Sequence, residues 1–314
     1  MTQNLLSIRD VSRDDFESLC SQADTFAQQD EQMPVDTTQQ GGLLFFESST
    51  RTRIGFETAA WKLGIKTVVM NETKQNDTMS TAESIADTVR TLNPYVSFYC
   101  VRHSDDGIFD KIVPNTTHPV VNCGNGYKEH PTQALIDGYT IASRFGGIDG
   151  LNITMTGALR YSRAANSLLA FLAGFNDVTI NGFTEPELDF NEDVILEFTK
   201  SGKKYKHPTS PDWSGSQVVY SAGFTPKNPS GEYPQTVRNK YKITRDIADE
   251  LGDGIIMNPL PRIDEIDSDV DEMPQAHYFQ QNENGLYMRM AVVSRYCLKP
   301  ENTRIVLLFG VKHS

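Results

Sequence analysis

Residues 45–53 read FFESSTRTR and follow the apolar pair Leu43-Leu44. An apolar run followed by hydroxyl and guanidinium side chains predicts a buried strand, a loop, and a helix that opens near Arg53 and continues through residues 54–61. At such a junction the hydroxyls and the first backbone N–H groups of the helix converge on its N-terminus, where anions bind. Arg51 and Arg53 add planar forks that match phosphate or carboxylate oxygens. In isolation, the same cluster would be interpreted as a capped helix with solvated arginines.

The rest of the chain alternates apolar runs with helical patterns. Ser12 precedes acidic residues and apolar positions at helical spacing, which predicts a helix with a capped N-terminus. Another helix is predicted over residues 83–89. Strands are predicted at residues 65–70, 96–101, 120–122, 151–156 and 218–220. This alternation is typical of an α/β fold with mostly parallel sheets flanked by helices.

Composition restricts the classes of function. The chain has 314 residues, enough for two domains, and a formal net charge of −12 argues against nucleic acid as a partner. No apolar run approaches the roughly 20 residues of a membrane span, and residues 1–4 begin no signal segment, so we expect no membrane association and a cytoplasmic location. The cysteines, which form no CxxC pair, are interpreted as buried thiols: Cys20, Cys100, Cys123 and Cys297.

Two further polar clusters follow in the sequence: residues 130–137 read HPTQALID, and residues 258–262 read NPLPR. Together with the earlier STRTR motif, and in this order, they resemble the motifs of the aspartate/ornithine carbamoyltransferase family, in particular its aspartate carbamoyltransferase catalytic chains. The resemblance extends from about Ser7 to about Leu298 and covers nearly the whole chain.

The resemblance implies an α/β fold of two domains, each with a mostly parallel sheet flanked by helices, joined by interdomain helices. Residues 1–140 would form a carbamoyl-phosphate-binding domain, completed by a C-terminal helix over about residues 285–314, and residues 141–284 would form an amino-acid-binding domain. It also implies a homotrimer with active sites shared between subunits. Whether additional chains join the assembly is left open.

The reaction implied is transfer of the carbamoyl group of carbamoyl phosphate to the amine of a small amino acid. With L-aspartate as the acceptor, the products are N-carbamoyl-L-aspartate and phosphate, a step of pyrimidine biosynthesis. No covalent enzyme nucleophile is needed and no metal-ligand set is visible. The turn at residues 157–163 lacks the GxGxxG pattern of dinucleotide sites, so no cofactor is expected.

The resemblance assigns a role to each matching site residue. The phosphate would be held by Ser49, Thr50, Arg51, Thr52 and Arg102. His130 would polarise the carbonyl group, and Gln133 would bind the carbamoyl group. Arg163 would bind the α-carboxylate of the acceptor, while Leu260 and Pro261 would offer backbone carbonyls to the amine and to the carbamoyl nitrogen. The catalytic subset comprises His130, Arg51, Thr52 and Arg102.

Some positions depart from the family pattern. In a loop that would reach a neighbouring active site, Ser80 and Thr81 stand where the family has two lysines, and Lys74 is the nearest substitute. The residue at position 158 is an alanine instead of an aspartate, and Arg160 replaces a lysine.

The loop at residues 221–227 lacks the arginine that would bind the side-chain carboxylate of aspartate. Lys227 and Arg238 are candidate replacements, although an ammonium is not equivalent to a guanidinium. Two alternatives therefore stay open: a carbamoyltransferase for another amine, or a catalytically impaired paralogue that binds ligand or serves as a structural partner.

Overall fold

The computed structural model describes residues 4–28, 39–71, 83–224 and 233–298. The chain divides into two compact units: unit 1 is Met1–Thr132 with Gly285–Ser314, and unit 2 is Gln133–Asn284. Both contain a parallel sheet, as expected for the predicted α/β class. The assignment of carbamoyl phosphate to one domain and of the amino acid to the other stays a prediction.

Unit 1 is built around a four-stranded parallel sheet in the order β2-β1-β3-β4. Its elements are α1 (Arg13–Ala27), β1 (Gln40–Phe45), α2 (Arg51–Lys62), β2 (Lys66–Asn71), α3 (Ile85–Leu92), β3 (Phe98–His103), α4 (Ile108–Ile112) and β4 (Val120–Asn125), followed by the start of α5 (Pro131–Phe145).

Unit 2 contains a five-stranded parallel sheet in the order β7-β6-β5-β8-β9. After α5 its elements are β5 (Asn152–Thr156), α6 (Arg163–Leu172), β6 (Thr179–Phe183), α7 (Glu192–Lys200), β7 (Lys204–Lys206), β8 (Val218–Ser221), α8 (Gln235–Lys240), α9 (Arg245–Glu250), β9 (Ile255–Met257) and α10 (Tyr278–Val292). The unit boundaries fall inside α5 and α10.

Local sequence explains most element boundaries. Ser12 forms the predicted N-cap of α1, where its side chain and that of Asp15 make a reciprocal capping box. The inner strands of both sheets are mostly buried, as their continuous apolar runs predict, whereas the edge strands β2 and β7 are partly exposed. The described helices include none that is long and apolar enough to cross a membrane.

Several boundaries differ from the predictions by two or three residues. Helix α2 begins at Arg51 rather than near residue 53, because Thr50 already adopts a helical conformation and its carbonyl accepts from Ile54 N at 3.0 Å. Strand β1 begins at Gln40, since Gly41 and Gly42 pack closely against side chains of the neighbouring strand. Strand β3 begins at residue 98, two residues later than predicted.

The cysteine interpretation needs one correction. Cys100, Cys123 and Cys297 are buried free thiols as predicted, and burial raises the pKa of Cys100 and Cys123 well above the usual value. Cys20, by contrast, is only partly buried on α1, where desolvation followed by the charges of neighbouring acids raises its pKa to about 12.

Each sheet has one point where the strand order reverses direction. In unit 1 this point lies between β1 and β3, and in unit 2 it lies between β5 and β8. In open parallel sheets, ligands bind outside the carboxyl ends of the strands at such a point. The fold therefore directs attention to the segments that follow these strands.

Candidate active site

The N-terminus of α2 is the first component of the site in unit 1. Thr50 makes no side-chain capping bond, so the N–H groups of the first helical turn can bind an anion. Arg51 begins the helix half-buried, and burial alone lowers the pKa of its guanidinium. Among the described residues no carboxylate pairs with Arg51. A desolvated cation of this kind favours an anionic partner.

The other side chains of this motif differ in exposure. Thr52 is buried in the first turn, Ser49 is half-buried, and Thr50 is exposed. Arg53 forms an i,i+4 ion pair with Glu57 at 3.5 Å. Of the two arginines that were predicted to bind an anion, only Arg51 keeps that role, because the Arg53 guanidinium pairs with Glu57 on the helix surface.

Arg102 lies at the carboxyl end of β3, next to the end of β1. The two chain segments are joined by a hydrogen bond from Phe46 N to Arg102 O of 2.9 Å. The Arg102 guanidinium pairs with Glu47, with 3.4 Å between Nε and Oε2, and both side chains are largely buried. Glu47 thus orients Arg102, a role that the sequence did not reveal.

His130 follows the turn after β4. Asn125 N donates to Glu129 O at 3.0 Å, and the buried His130 ring lies beside Thr132, with 3.3 Å between Nδ1 and Oγ1. The buried Glu129 carboxylate accepts hydrogen bonds from Ser7 Oγ, Ile8 N and Arg9 Nη1. Because β1, β3 and β4 are neighbours, the α2 N-terminus, Arg102 and His130 all follow the same sheet edge.

The ring of His103, next to Arg102, gives a pH-dependent prediction. Asp105 N donates to its Nδ1 at 2.8 Å, which requires an unprotonated nitrogen. Burial lowers the pKa of His103, partly offset by the carboxylates of Asp105 and Glu47, whereas Lys111 lowers it further.

Because the folded-state pKa is below the unfolded value of about 6.5, the unfolded chain binds more protons, and stability is lost as pH falls through 6.5. We expect the urea midpoint to rise between pH 5.5 and pH 7.5, and to rise less in His103→Gln. His277, whose pKa burial also lowers, should retain part of the dependence. An equal rise in both proteins would contradict the assignment.

In unit 2, the chain leaves β5 through a tight glycine turn. Gly157 has a φ of +100°, and Ala158 N donates to Gly223 O, just after β8, at 2.9 Å. The predicted loss of an aspartate at position 158 thus leaves a buried alanine whose backbone joins two strand ends.

The two arginines after this turn have different surroundings. Arg160 Nε donates to the backbone oxygen of Asp189 at 3.2 Å. Arg163 is the first residue of α6, which Ser162 caps by accepting from Ala165 N. Arg163 is therefore presented at a capped helix start that follows the carboxyl edge of the sheet.

The segment after β9 is held by side chains. Leu260 has a positive φ of 55°, a strained conformation for leucine, and its N–H donates to Asn258 Oδ1 at 2.6 Å. Asn258 Nδ2 in turn donates to Glu265 Oε1 at 3.1 Å. Asn258 thus fixes the backbone of Leu260 and Pro261, whose carbonyl groups were predicted to bind nitrogen.

The described part of the loop after β8 carries no cation. It comprises residues 222–224, and Gly223 has a φ of +69°. A Cβ atom at Gly223 would lie 2.6 Å from Glu265 Oε1, so a buried carboxylate faces this position. Arg238, one candidate replacement, forms a salt bridge with Asp264 instead.

Several predicted positions lie outside the described residues. They are Lys74, Ser80, Thr81 and Lys227. Within the described ranges, no group of three or more His, Cys, Asp and Glu side chains could hold a metal ion.

Gln133 lies in the first turn of α5, and its Nε2 donates to Asp137 Oδ1 at 2.8 Å. No role was predicted for Asp137, although its position four residues after Gln133 places both on one helix face. That spacing is the signal that could have identified it.

Comparisons with known proteins address the whole chain. Residues 3–143 match the model of the aspartate/ornithine carbamoyltransferase carbamoyl-P binding domain, and residues 149–295 match that of the Asp/Orn binding domain. An aspartate carbamoyltransferase catalytic subunit from Methanococcus aeolicus is 32% identical over 96% of this chain and 99% of its own length. The chain belongs to the aspartate/ornithine carbamoyltransferase family. The members of this family are enzymes. The match confirms the resemblance that was inferred from the motifs.

Other family members extend the comparison. The catalytic subunit from Thermoplasma acidophilum is 36% identical over 93% of this chain and 97% of its own length. The M. jannaschii aspartate transcarbamoylase catalytic subunit has a TM-score of 0.85 at 31% identity, covering 93% of this chain and 97% of that one. The Trypanosoma cruzi aspartate transcarbamoylase in complex with carbamoyl phosphate and aspartate has a TM-score of 0.84 at 29% identity. The match covers 93% of this chain and 96% of that one. These structures confirm the predicted fold of two parallel-sheet domains.

Proposed function

We propose that this chain is an aspartate carbamoyltransferase, which transfers the carbamoyl group of carbamoyl phosphate to L-aspartate and releases phosphate. The observation that carries the proposal is the half-buried Arg51 at the uncapped N-terminus of α2, on the same sheet edge as Arg102 and His130. Full-length relatives named for this activity support it.

In the proposed reaction, the neutral amine attacks the carbonyl carbon and forms a tetrahedral intermediate. The new C–N bond forms, the bond from carbon to the phosphate oxygen breaks, phosphate leaves with the electron pair, and the proton lost by the amine passes to the departing phosphate. Charge develops on the carbonyl oxygen, where His130 acts as the donor. Ser49, Thr50, Arg51, Thr52 and Arg102 hold the phosphate.

The remaining residues position the reactants. Gln133 binds the carbamoyl group and Arg163 the α-carboxylate of the acceptor, while the carbonyls of Leu260 and Pro261 accept from nitrogen. Holding both substrates in register can contribute roughly 7–11 kcal/mol to the rate. We further propose that the protein is cytoplasmic, serves pyrimidine biosynthesis and forms a homotrimer with shared active sites. Sedimentation measures the mass of the assembly and so tests the number of subunits.

A second candidate acceptor follows from Gly223 and Glu265. The described residues 221–224 offer no cation to a second carboxylate, and the Glu265 carboxylate lies against Gly223. This arrangement favours an amino acid whose side chain carries no carboxylate.

One experiment separates these functions. Phosphate release from carbamoyl phosphate is measured with aspartate, with a panel of other amino acids and amines, and without acceptor. Turnover with aspartate above the control supports the proposed function, whereas turnover with a different amine alone identifies the second candidate. Binding of carbamoyl phosphate without turnover by any acceptor would reject both and favour an impaired paralogue.

A further inference from the structure

Four buried polar side chains, those of Asp137, Gln133, Gln281 and Tyr220, form a continuous hydrogen-bond network within unit 2 that also includes the backbone N–H of Asn258. Asp137 Oδ1 accepts from Gln133 Nε2 at 2.8 Å and from Gln281 Nε2 at 2.6 Å, and its Oδ2 accepts from Tyr220 Oη at 3.0 Å. Gln281 Oε1 accepts from Asn258 N at 3.0 Å. Asp137 and Tyr220 are fully buried, and burial followed by the Asp137 charge raises the pKa of Tyr220.

The donors and acceptors of this network can be assigned from one fixed point. A backbone N–H can only donate, so the Gln281 oxygen must face Asn258 and its NH₂ group must face Asp137. Asp137 Oδ1 is therefore an acceptor, whether or not the other carboxyl oxygen carries a proton.

The same oxygen then determines the orientation of Gln133. Only the NH₂ group of Gln133 can donate to Asp137 Oδ1, so its Oε1 points the other way. Gln133 Oε1 makes no hydrogen bond to another described residue. The group that Gln133 can offer to a ligand is thus a hydrogen-bond acceptor.

We propose that Asp137 is a positioning residue that fixes the Gln133 carboxamide with Oε1 toward the ligand, so that the site selects the NH₂ group of carbamoyl phosphate. The inference rests on the proposed function for the identity of the ligand. Through Gln281, the same carboxylate also supports the backbone that leads to Leu260. Asp137 therefore couples recognition of the carbamoyl nitrogen to the position of the loop after β9.

The test compares carbamoyl phosphate with acetyl phosphate, which carries a methyl group in place of the NH₂ group. Calorimetric titration of the full-length wild-type protein should show a roughly tenfold preference for carbamoyl phosphate, the effect expected of about one hydrogen bond. Asp137→Leu should abolish this preference and leave binding of inorganic phosphate unchanged. Asp137→Asn should retain it, because an amide oxygen can accept from both glutamines.

Thr140→Val is the matched control. Thr140 is also buried on α5 and accepts from Asn284 Nδ2 at 3.1 Å, with no bond to the Asp137 carboxylate. Its replacement should leave the preference unchanged. A preference that survives in Asp137→Leu, or that Thr140→Val abolishes as completely, would overturn the proposal.

A measurement on the wild-type protein covers the case in which Asp137→Leu does not fold. The side-chain NH₂ of Gln133, labelled with ¹⁵N and assigned by its absence in Gln133→Leu, should be protected from hydrogen exchange before and after carbamoyl phosphate is added. Protection that appears only with the ligand would mean that Nε2 faces the ligand, and the proposal would be wrong.

The outcomes also separate this inference from the proposed function. A preference for carbamoyl phosphate without turnover would support the role of Asp137 and reject the transferase activity. Turnover with aspartate but no preference for carbamoyl phosphate over acetyl phosphate would support the transferase activity and reject the role of Asp137. No binding of carbamoyl phosphate by the wild-type protein would reject both.

Discussion

Replacement of Arg51 by alanine is expected to lower kcat/KM for carbamoyl phosphate by roughly 100- to 1000-fold, the usual effect of losing one charge-stabilising donor. The guanidinium is half-buried at the first position of α2, and no described carboxylate neutralises it. A bound phosphate would therefore supply its counter-ion in a partly desolvated site, where a charge-assisted hydrogen bond is stronger than in water. Calorimetric titration with inorganic phosphate measures the loss of phosphate affinity, and steady-state kinetics measures the loss of kcat/KM.

Arg90→Ala is the matched control for this prediction. It removes the same charge from unit 1, but Arg90 is exposed and pairs with Asp87 on the surface of α3. Such pairs contribute about 0–1 kcal/mol, and we expect phosphate affinity to stay within about twofold of wild type. Equal losses in both variants would mean that Arg51 acts only through the general field of the protein. Unchanged affinity in Arg51→Ala would place the phosphate site elsewhere.

The sequence predicted the parts of the site that depend on local pattern. An apolar strand followed by clustered hydroxyls and arginines specifies a strand, a loop and a helix start, and the structure has these elements within a few residues of their predicted positions. The strand start and the helix start were both misplaced: β1 extends back to Gln40, and α2 begins at Arg51, where Thr50 makes no side-chain capping bond that would mark the boundary. The roles of the motif residues came from the family resemblance and not from the pattern.

The contacts that join distant segments could not be predicted. Glu47 pairs with Arg102, and Asp137 contacts Tyr220 and Gln281, across separations of 55, 83 and 144 residues. No periodicity records such a pairing, because it depends on which strands and helices become neighbours in the fold. Once the strand order is known, the switch-point rule identifies both sheet edges without reference to any motif.

The turn after β5 is expected to tolerate no side chain. Replacement of Gly157 by alanine should destabilise the protein by roughly 2–6 kcal/mol, the sum of about 1–3 for strained backbone and about 1–3 for overpacking. At a φ of +100°, a Cβ atom would lie 2.7 Å from the Gly223 oxygen and 2.8 Å from its nitrogen. These are backbone atoms, so neither can rotate away. The urea unfolding midpoint should fall accordingly.

Gly146→Ala isolates the backbone contribution to this effect. Gly146 also has a positive φ, of 73°, but a Cβ atom there would meet nothing within 4 Å. Its replacement should cost only about 1–2 kcal/mol, the penalty of a left-handed conformation. A midpoint shift for Gly157→Ala no larger than that for Gly146→Ala would show that the strand ends can separate. In that case the turn would not hold Arg160 and Arg163 in fixed register with residues 221–224, and the acceptor residues would have to be ordered by the ligand itself.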